Sequence, residues 1–225
     1  MSLEIIVFCE GQTEEQFIKR VVAPTFRHSS IYLKPLTLKT SKDASGGDVS
    51  FDRLKINARN TLRQYPNAFL TTFLDLYKLN TDFPNYDLSK TRTGVYNKLE
   101  CLEFALHTAI VSHVGCRPER FIPYIQPYEF EGLLFSDVSA LVSVEPAWQS
   151  SAAILFKIRQ QAETPEHIND GFETKPSSQL EKTLNPKFRK KLHGSLAAEK
   201  ITLSVIENEC KHFSEWMAKL RNLTC

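Results

Sequence analysis

Residues 5–9, Ile-Ile-Val-Phe-Cys, are apolar without interruption. A strand with one wet face alternates, so an unbroken run marks a strand buried on both sides. Glu10-Gly11-Gln12 then turns the chain. The spacing of Phe17, Ile18, Val21 and Val22 predicts an amphipathic helix behind that turn. Thr13 is placed to cap this helix, Gln16 to complete a capping box, and Pro24 to close it. Strand, turn and helix open a parallel α/β unit, which needs helices on both faces of its sheet.

The pattern repeats downstream. Further strands are expected over residues 31–40, 68–76 and 121–126, the third strand ending on Asp75. Helices are expected over 51–65, 93–114 and 130–141, and a mobile loop over 41–50, where Gly46-Gly47 sits. Beyond about residue 145 no buried strand is evident, and 150–162, 177–192 and 198–221 read as helices. The expected architecture is an α/β domain over residues 1–145, a mostly parallel sheet flanked by helices. Residues 146–225 form an α-helical C-terminal extension packed on the same domain.

With 42% hydrophobic and 24% charged residues, the chain has a globular composition. Its five cysteines form no CxxC pair, which excludes a zinc-ligand spacing and a disulfide framework. Reduced thiols fit a cytoplasmic protein, and no apolar run reaches the ~20 residues that span a bilayer. The net charge of +2 excludes a histone-like polycation, but it hides an uneven distribution. Residues 101–150 carry a net −4, whereas 51–100 and 151–225 carry +3 each.

Ligands of open α/β sheets bind beyond the carboxyl ends of the strands. There the first strand delivers Glu10, with Glu14 one helical turn on; the third delivers Asp75; the fourth delivers Glu129 and Glu131. Acids so gathered repel one another unless a cation neutralises them, and an all-oxygen set suits Mg²⁺ or Mn²⁺. Otherwise the same acids are helix caps and surface charges. At a helix start Glu129 and Glu131 would meet the helix dipole favourably without any metal.

Glu10-Gly11-Gln12-Thr13-Glu14 after an apolar strand resembles the opening of Toprim domains in overcoming-lysogenization-defect-type nucleases. FCEGQTEEQF, TTFLDLYKLNTDFP, YIQPYEFEGLLFSD, INDGFETKPS, KLHG and CKHFSEWMAKL resemble, in that order, the bacterial domain-of-unknown-function family 4276. The resemblance implies a Toprim-like fold with Glu10, Glu14, Asp75, Glu129 and Glu131 at a Mg²⁺ (or Mn²⁺) site. Glu10 would be the general acid/base and Asp75 a metal-binding, catalytic partner. It also implies a partner ATPase in mobile or defence-related gene clusters. Toprim domains carry Asp-x-Asp after the third strand, whereas this chain has Asp75-Leu76-Tyr77. Either Glu129 or Glu131 replaces the second Asp, or the site binds one ion weakly, or the protein is not a nuclease.

A phosphate partner needs cations beside the acids. Lys55, Arg59 and Arg63 share one helical face, and Lys187, Arg189, Lys190 and Lys191 cluster later; both groups are candidates for nucleic-acid contact. His107 is expected as a satisfied, half-buried histidine, His193 near a helix C-terminus, Cys9 in the core, and Asp137 in a structural role. The leading expectation is Mg²⁺-dependent endonucleolytic chemistry. Its rivals are a non-catalytic subunit binding an ATPase or nucleic acid, and a phosphatase or nucleotide hydrolase built on the same metal logic.

Overall fold

The computed structural model describes residues 2–27, 29–38, 49–169, 171 and 173–223. Strand β1 (Leu3–Cys9) leads into α1 (Gln12–Phe17), a π-helical turn over Ile18–Val22 and a 3-10 turn over Ala23–Phe26. Then come β2 (Ile31–Thr37), α2 (Phe51–Gln64), β3 (Phe69–Asp75), α3 (Tyr86–Lys90) and α4 (Val95–Val114). The short strands β4 (Phe121–Ile122) and β5 (Ile125–Gln126) complete the sheet. A 3-10 segment, Phe130–Ser136, precedes α5 (Val138–Val142), and α6 (Ala152–Gln160) and α7 (Pro176–Thr183) follow. The last helices are α8 (Lys190–Ile201), α9 (Leu203–Glu209) and α10 (Lys211–Arg221).

Every ladder is parallel, in the order β2–β1–β3–β4, with β5 continuing along the same edge of β3. β1 lies between β2 and β3, as its unbroken apolar run requires. Its alternate side chains divide the core. Ile6 and Phe8 pack with Leu54, Leu62, Leu99 and Leu106 of α2 and α4. Ile5, Val7 and Cys9 pack with α1, α5 and α8–α10. The α/β architecture expected from sequence is therefore present, and the C-terminal helices form one of its two helical layers. Trp216 anchors that layer. Its ring stacks 4.6 Å from Tyr124 and lies 5.5 Å from Phe73, while Nε1 donates to Thr71 Oγ1 at 2.8 Å.

Several boundaries differ from expectation, each for a local reason. Gly11, not Thr13, is the N-cap of α1, and no side-chain cap bond forms there. Pro24 does not end the first helical stretch; it sits in the opening turn of the 3-10 continuation, where a missing N–H costs nothing. The expected fourth strand is split at Pro123-Tyr124, and Thr72 bridges the gap. The Thr72 hydroxyl donates to Tyr124 O at 2.8 Å and accepts from Tyr124 N at 2.9 Å, replacing ladder bonds with side-chain ones.

The expected helix over 130–141 breaks at Asp137, whose carboxylate accepts from Ala140 N at 3.0 Å and caps α5. The helix expected over 177–192 is two helices separated by Asn185-Pro186, and 198–221 spans the end of α8, α9 and α10. The loop expected over 41–50 lies outside the described residues except for Val49 and Ser50; Ser50 caps α2 by accepting from Arg53 N. No helix among the described residues is long and apolar enough to cross a membrane.

Candidate acidic site

The parallel register pairs Cys9 with Phe73 and Asp75 with Gln126, so β1, β3 and β5 end at one edge of the sheet. Three chain segments deliver acids to that rim. Glu10 leaves β1 half-buried, and its Oε2 faces Asp75 N at 3.4 Å. Burial and Glu14 push its carboxyl up to about 8, against the pull of Lys78, the Asp75 N–H and Lys190. Glu14 lies in the first turn of α1 and is raised mainly by burial. Its carboxylate folds back onto the N–H groups of Glu14 and Gly11, as a carboxylate at the third helical position does.

Gly11 is needed there for room, since its backbone is extended at φ −148°. A Cβ on Gly11 would stand 3.1 Å from Glu14 Oε2. Gly11→Ala should therefore displace the Glu14 carboxylate while changing stability by less than about 1 kcal/mol. Thermal melts with and without Mn²⁺ would check this: the metal-free midpoint should hold, and any metal-induced rise should shrink.

Asp75 ends β3 at 4% exposure, its Oδ1 accepting from Phe130 N at 2.9 Å. Burial, then Glu10, Glu14 and Glu131, raise its carboxyl well above the ordinary range. Tyr128, with φ +58°, turns the chain after β5 and aims the next residues back at the rim. That conformation is uncommon for a bulky residue and marks a constrained turn. Glu131, 1% exposed, is pushed by burial up to about 7, with Lys190 holding it down.

Glu129 behaves differently. Burial works against its charge, yet Lys190, Ser177 and Lys175 hold its carboxyl below the usual value. Its Oε1 lies 3.1 Å from Lys175 Nζ and 3.6 Å from Lys190 Nζ, and its Oε2 accepts from Ser177 N at 3.0 Å. It is a tie between the rim and the start of α7. Lys190 Nζ also reaches Glu131 Oε2 at 3.0 Å, and its ammonium is stabilised by Glu131, Glu129 and Asp75 despite burial.

Asp75 feels the charge of Glu10, Glu14 and Glu131, Glu10 feels that of Glu14, and Glu131 feels that of Glu129 and Glu14. Five carboxylates face Lys78, Lys175 and Lys190, so full ionisation leaves negative charge unmatched. The donor set is all oxygen, the chemistry a hard divalent ion prefers, but an ammonium already stands beside Glu131. Among the described residues, no three Asp, Glu, His or Cys side chains are drawn together as ligands of one ion.

The basic candidates separate. Lys190 turns inward to the acids, while Lys187, Arg189 and Lys191 stay exposed, Lys187 pairing with Glu181 at 3.0 Å. Arg59 and Arg63 are exposed, and Lys55 pairs with Asp52. Because α2 begins near the rim and runs antiparallel to β3, Arg59 and Arg63 lie about 6 and 12 Å farther down its axis than Lys55. That stripe leads away from the acids.

His107 is half-buried, with Nε2 2.9 Å from Pro118 O, as expected. His193 is not at a helix C-terminus but in the first turn of α8, where Nδ1 accepts from Arg189 N at 2.9 Å. Burial and Arg189 lower its pKa, which suits this acceptor role. Cys9 is core, its thiol pushed up by burial.

Sequence reasoning missed Lys175, Lys78 and the inward turn of Lys190, and no linear spacing links them to the acids. It also missed the buried tie in which Glu103 Oε1 meets His212 Nε2 at 2.9 Å and Glu166 accepts from His212 N and Phe213 N, both at 3.0 Å.

Comparison with curated proteins and with solved structures returns no match. The acidic motifs that build the rim and the helices that close over it fall within one family model, matched over residues 9–221, and the chain belongs to that family, described as Domain of unknown function (DUF4276).

Proposed function

We propose that the acidic rim is a Mg²⁺ or Mn²⁺ site catalysing phosphoryl transfer, in the form of phosphodiester cleavage in nucleic acid, as the Toprim resemblance implies. What supports this reading is the negative charge crowded around Asp75, which feels Glu10, Glu14 and Glu131 and which the nearby lysines neutralise only in part. When bound, a divalent ion there would polarise a phosphoryl oxygen and lower the pKa of a water. Asp75, Glu131 and Glu14 are the buried carboxylates that would hold the ion, Glu129 being tied to Lys175 and Ser177 N. Glu10, half-buried and shifted to about 8, can hold or release a proton near neutral pH, as a general acid/base must. Arg189 and Lys191 are exposed and flank Lys190 in the chain, with Lys187 three residues before it; these are the cations offered to a phosphate backbone.

A second reading is a non-catalytic subunit that keeps this shape and binds a partner ATPase or nucleic acid. The presence of Tyr77 where a second aspartate would stand favours it. Thermal melting with Mn²⁺ or Mg²⁺ and nicking of supercoiled plasmid separate the two. The catalytic reading expects a metal-dependent rise in midpoint and nicking that Glu10→Gln abolishes. Plasmid left intact by the protein alone and with an ATPase partner, together with a flat melting response, would leave the second reading standing.

A further inference from the structure

We propose that Lys190 is the built-in counter-ion of the acidic rim and competes with the divalent ion for Glu131, so that the ion enters only as the ammonium leaves. This rests on the metal reading above. The Lys190 ammonium lies 3.0 Å from Glu131 Oε2, and among the described residues it is the only cation paired with that buried carboxylate.

The backbone carrying Lys190 is held in place. It is the first residue of α8, and a Cβ on Gly194, one turn further, would stand 2.8 Å from Thr13 Cγ2 and 3.3 Å from Phe130 Cε1. The start of α8 is therefore pressed against α1 and the Phe130 segment. The Lys190 side chain is not so confined: it is 36% exposed and has four rotatable bonds toward solvent.

Glu129 and Glu131 respond differently when the ammonium leaves. Glu129 keeps Lys175 at 3.1 Å and Ser177 N at 3.0 Å and stays tied. Glu131 loses its paired cation and is left with Glu129, Glu14 and Asp75 as charged neighbours. Glu131, rather than Glu129, is then the acid that substitutes for the second aspartate.

Calorimetric titration of Mn²⁺ into the purified protein tests this, with no reliance on catalysis. Removing a positive charge from beside the entering ion should tighten Mn²⁺ binding by about tenfold or more in Lys190→Met. Lys190→Gln carries the same expectation if the methionine variant does not fold, and Lys190→Arg should bind no more tightly than wild type. Weaker or unchanged binding by the neutral variants, with wild type binding Mn²⁺, overturns the proposal and leaves the metal site standing. Heat of binding from neither wild type nor a folded neutral variant overturns the metal reading and this proposal together.

Discussion

Asp75→Asn should erase the response to divalent ions and, at the same time, stabilise the metal-free protein at pH 8. The substitution keeps the acceptor for Phe130 N, now at 2.9 Å from Oδ1, and removes only the charge. That charge is unfavourable in the folded state, because burial, Glu10, Glu14 and Glu131 all raise the Asp75 carboxyl. A carboxyl raised on folding binds a proton more tightly in the native state than in the unfolded chain. The stability contributed by the protonated group then falls as pH climbs past the unfolded value, and that contribution is gone once the folded value is passed.

With Glu131 pushed to about 7 and Glu10 to about 8, that loss spans roughly pH 4.5 to 8 in wild type without metal. Asp75→Asn should flatten the decline, since one source of repulsion is gone. Wild type in Mn²⁺ at a hundred times its dissociation constant should gain about 2.7 kcal/mol. For a chain of this size that is a rise of roughly 5–10 °C, which the variant should lack. Metal-dependent cleavage should fall ~10³-fold, about 4 kcal/mol of barrier. Melting curves at several pH values, with chelator and with Mn²⁺, read all of this except the cleavage. A variant less stable than wild type in chelator at pH 8 would contradict the charge argument.

Glu129→Ala should do the opposite to the metal-free protein. Removing one partner of a buried ion pair leaves its cations and a backbone donor uncompensated, at a cost of about 3–5 kcal/mol. The groups that lose Glu129 are Lys175, Ser177 N and, in part, Lys190. The melting midpoint should drop on the order of 10 °C, by the same amount in chelator and in Mn²⁺. Glu129→Gln should lose less, since its amide oxygen still accepts from Ser177 N. A loss confined to the Mn²⁺ arm would instead make Glu129 a direct ligand.

What could be read from the chain follows from the range of the forces involved. A doubly buried strand is apolar almost throughout, so residues 5–9, and 68–76 apart from Thr71, Thr72 and the terminal Asp75, announce β1 and β3 without any tertiary knowledge. Parallel strands share a carboxyl edge, so acids at their ends fall on one rim, and Asp75 does feel the charge of Glu10 and Glu131. Helix breaks were less visible. Thr202 separates α8 from α9 with φ +75°, a conformation a β-branched residue rarely takes and no local signal predicts. The cations were hidden for a different reason. Lys190 approaches Glu131 from fifty-nine residues away, and only packing of α8 on α1 decides which of four neighbouring basic residues turns inward. Charge counting placed a basic cluster after the acidic quarter but could not assign its members.

The burial of the two indoles has a spectroscopic consequence. Trp148 and Trp216 are the chain's only tryptophans, and both are fully enclosed in the layer to which the C-terminal helices contribute. Selective indole excitation therefore reads the docking of that layer on the sheet, as blue-shifted emission that reddens when the helices lift away. Because Trp216 lies against Phe73, two residues before Asp75, its emission also offers a label-free signal for rearrangement at the base of the acidic rim.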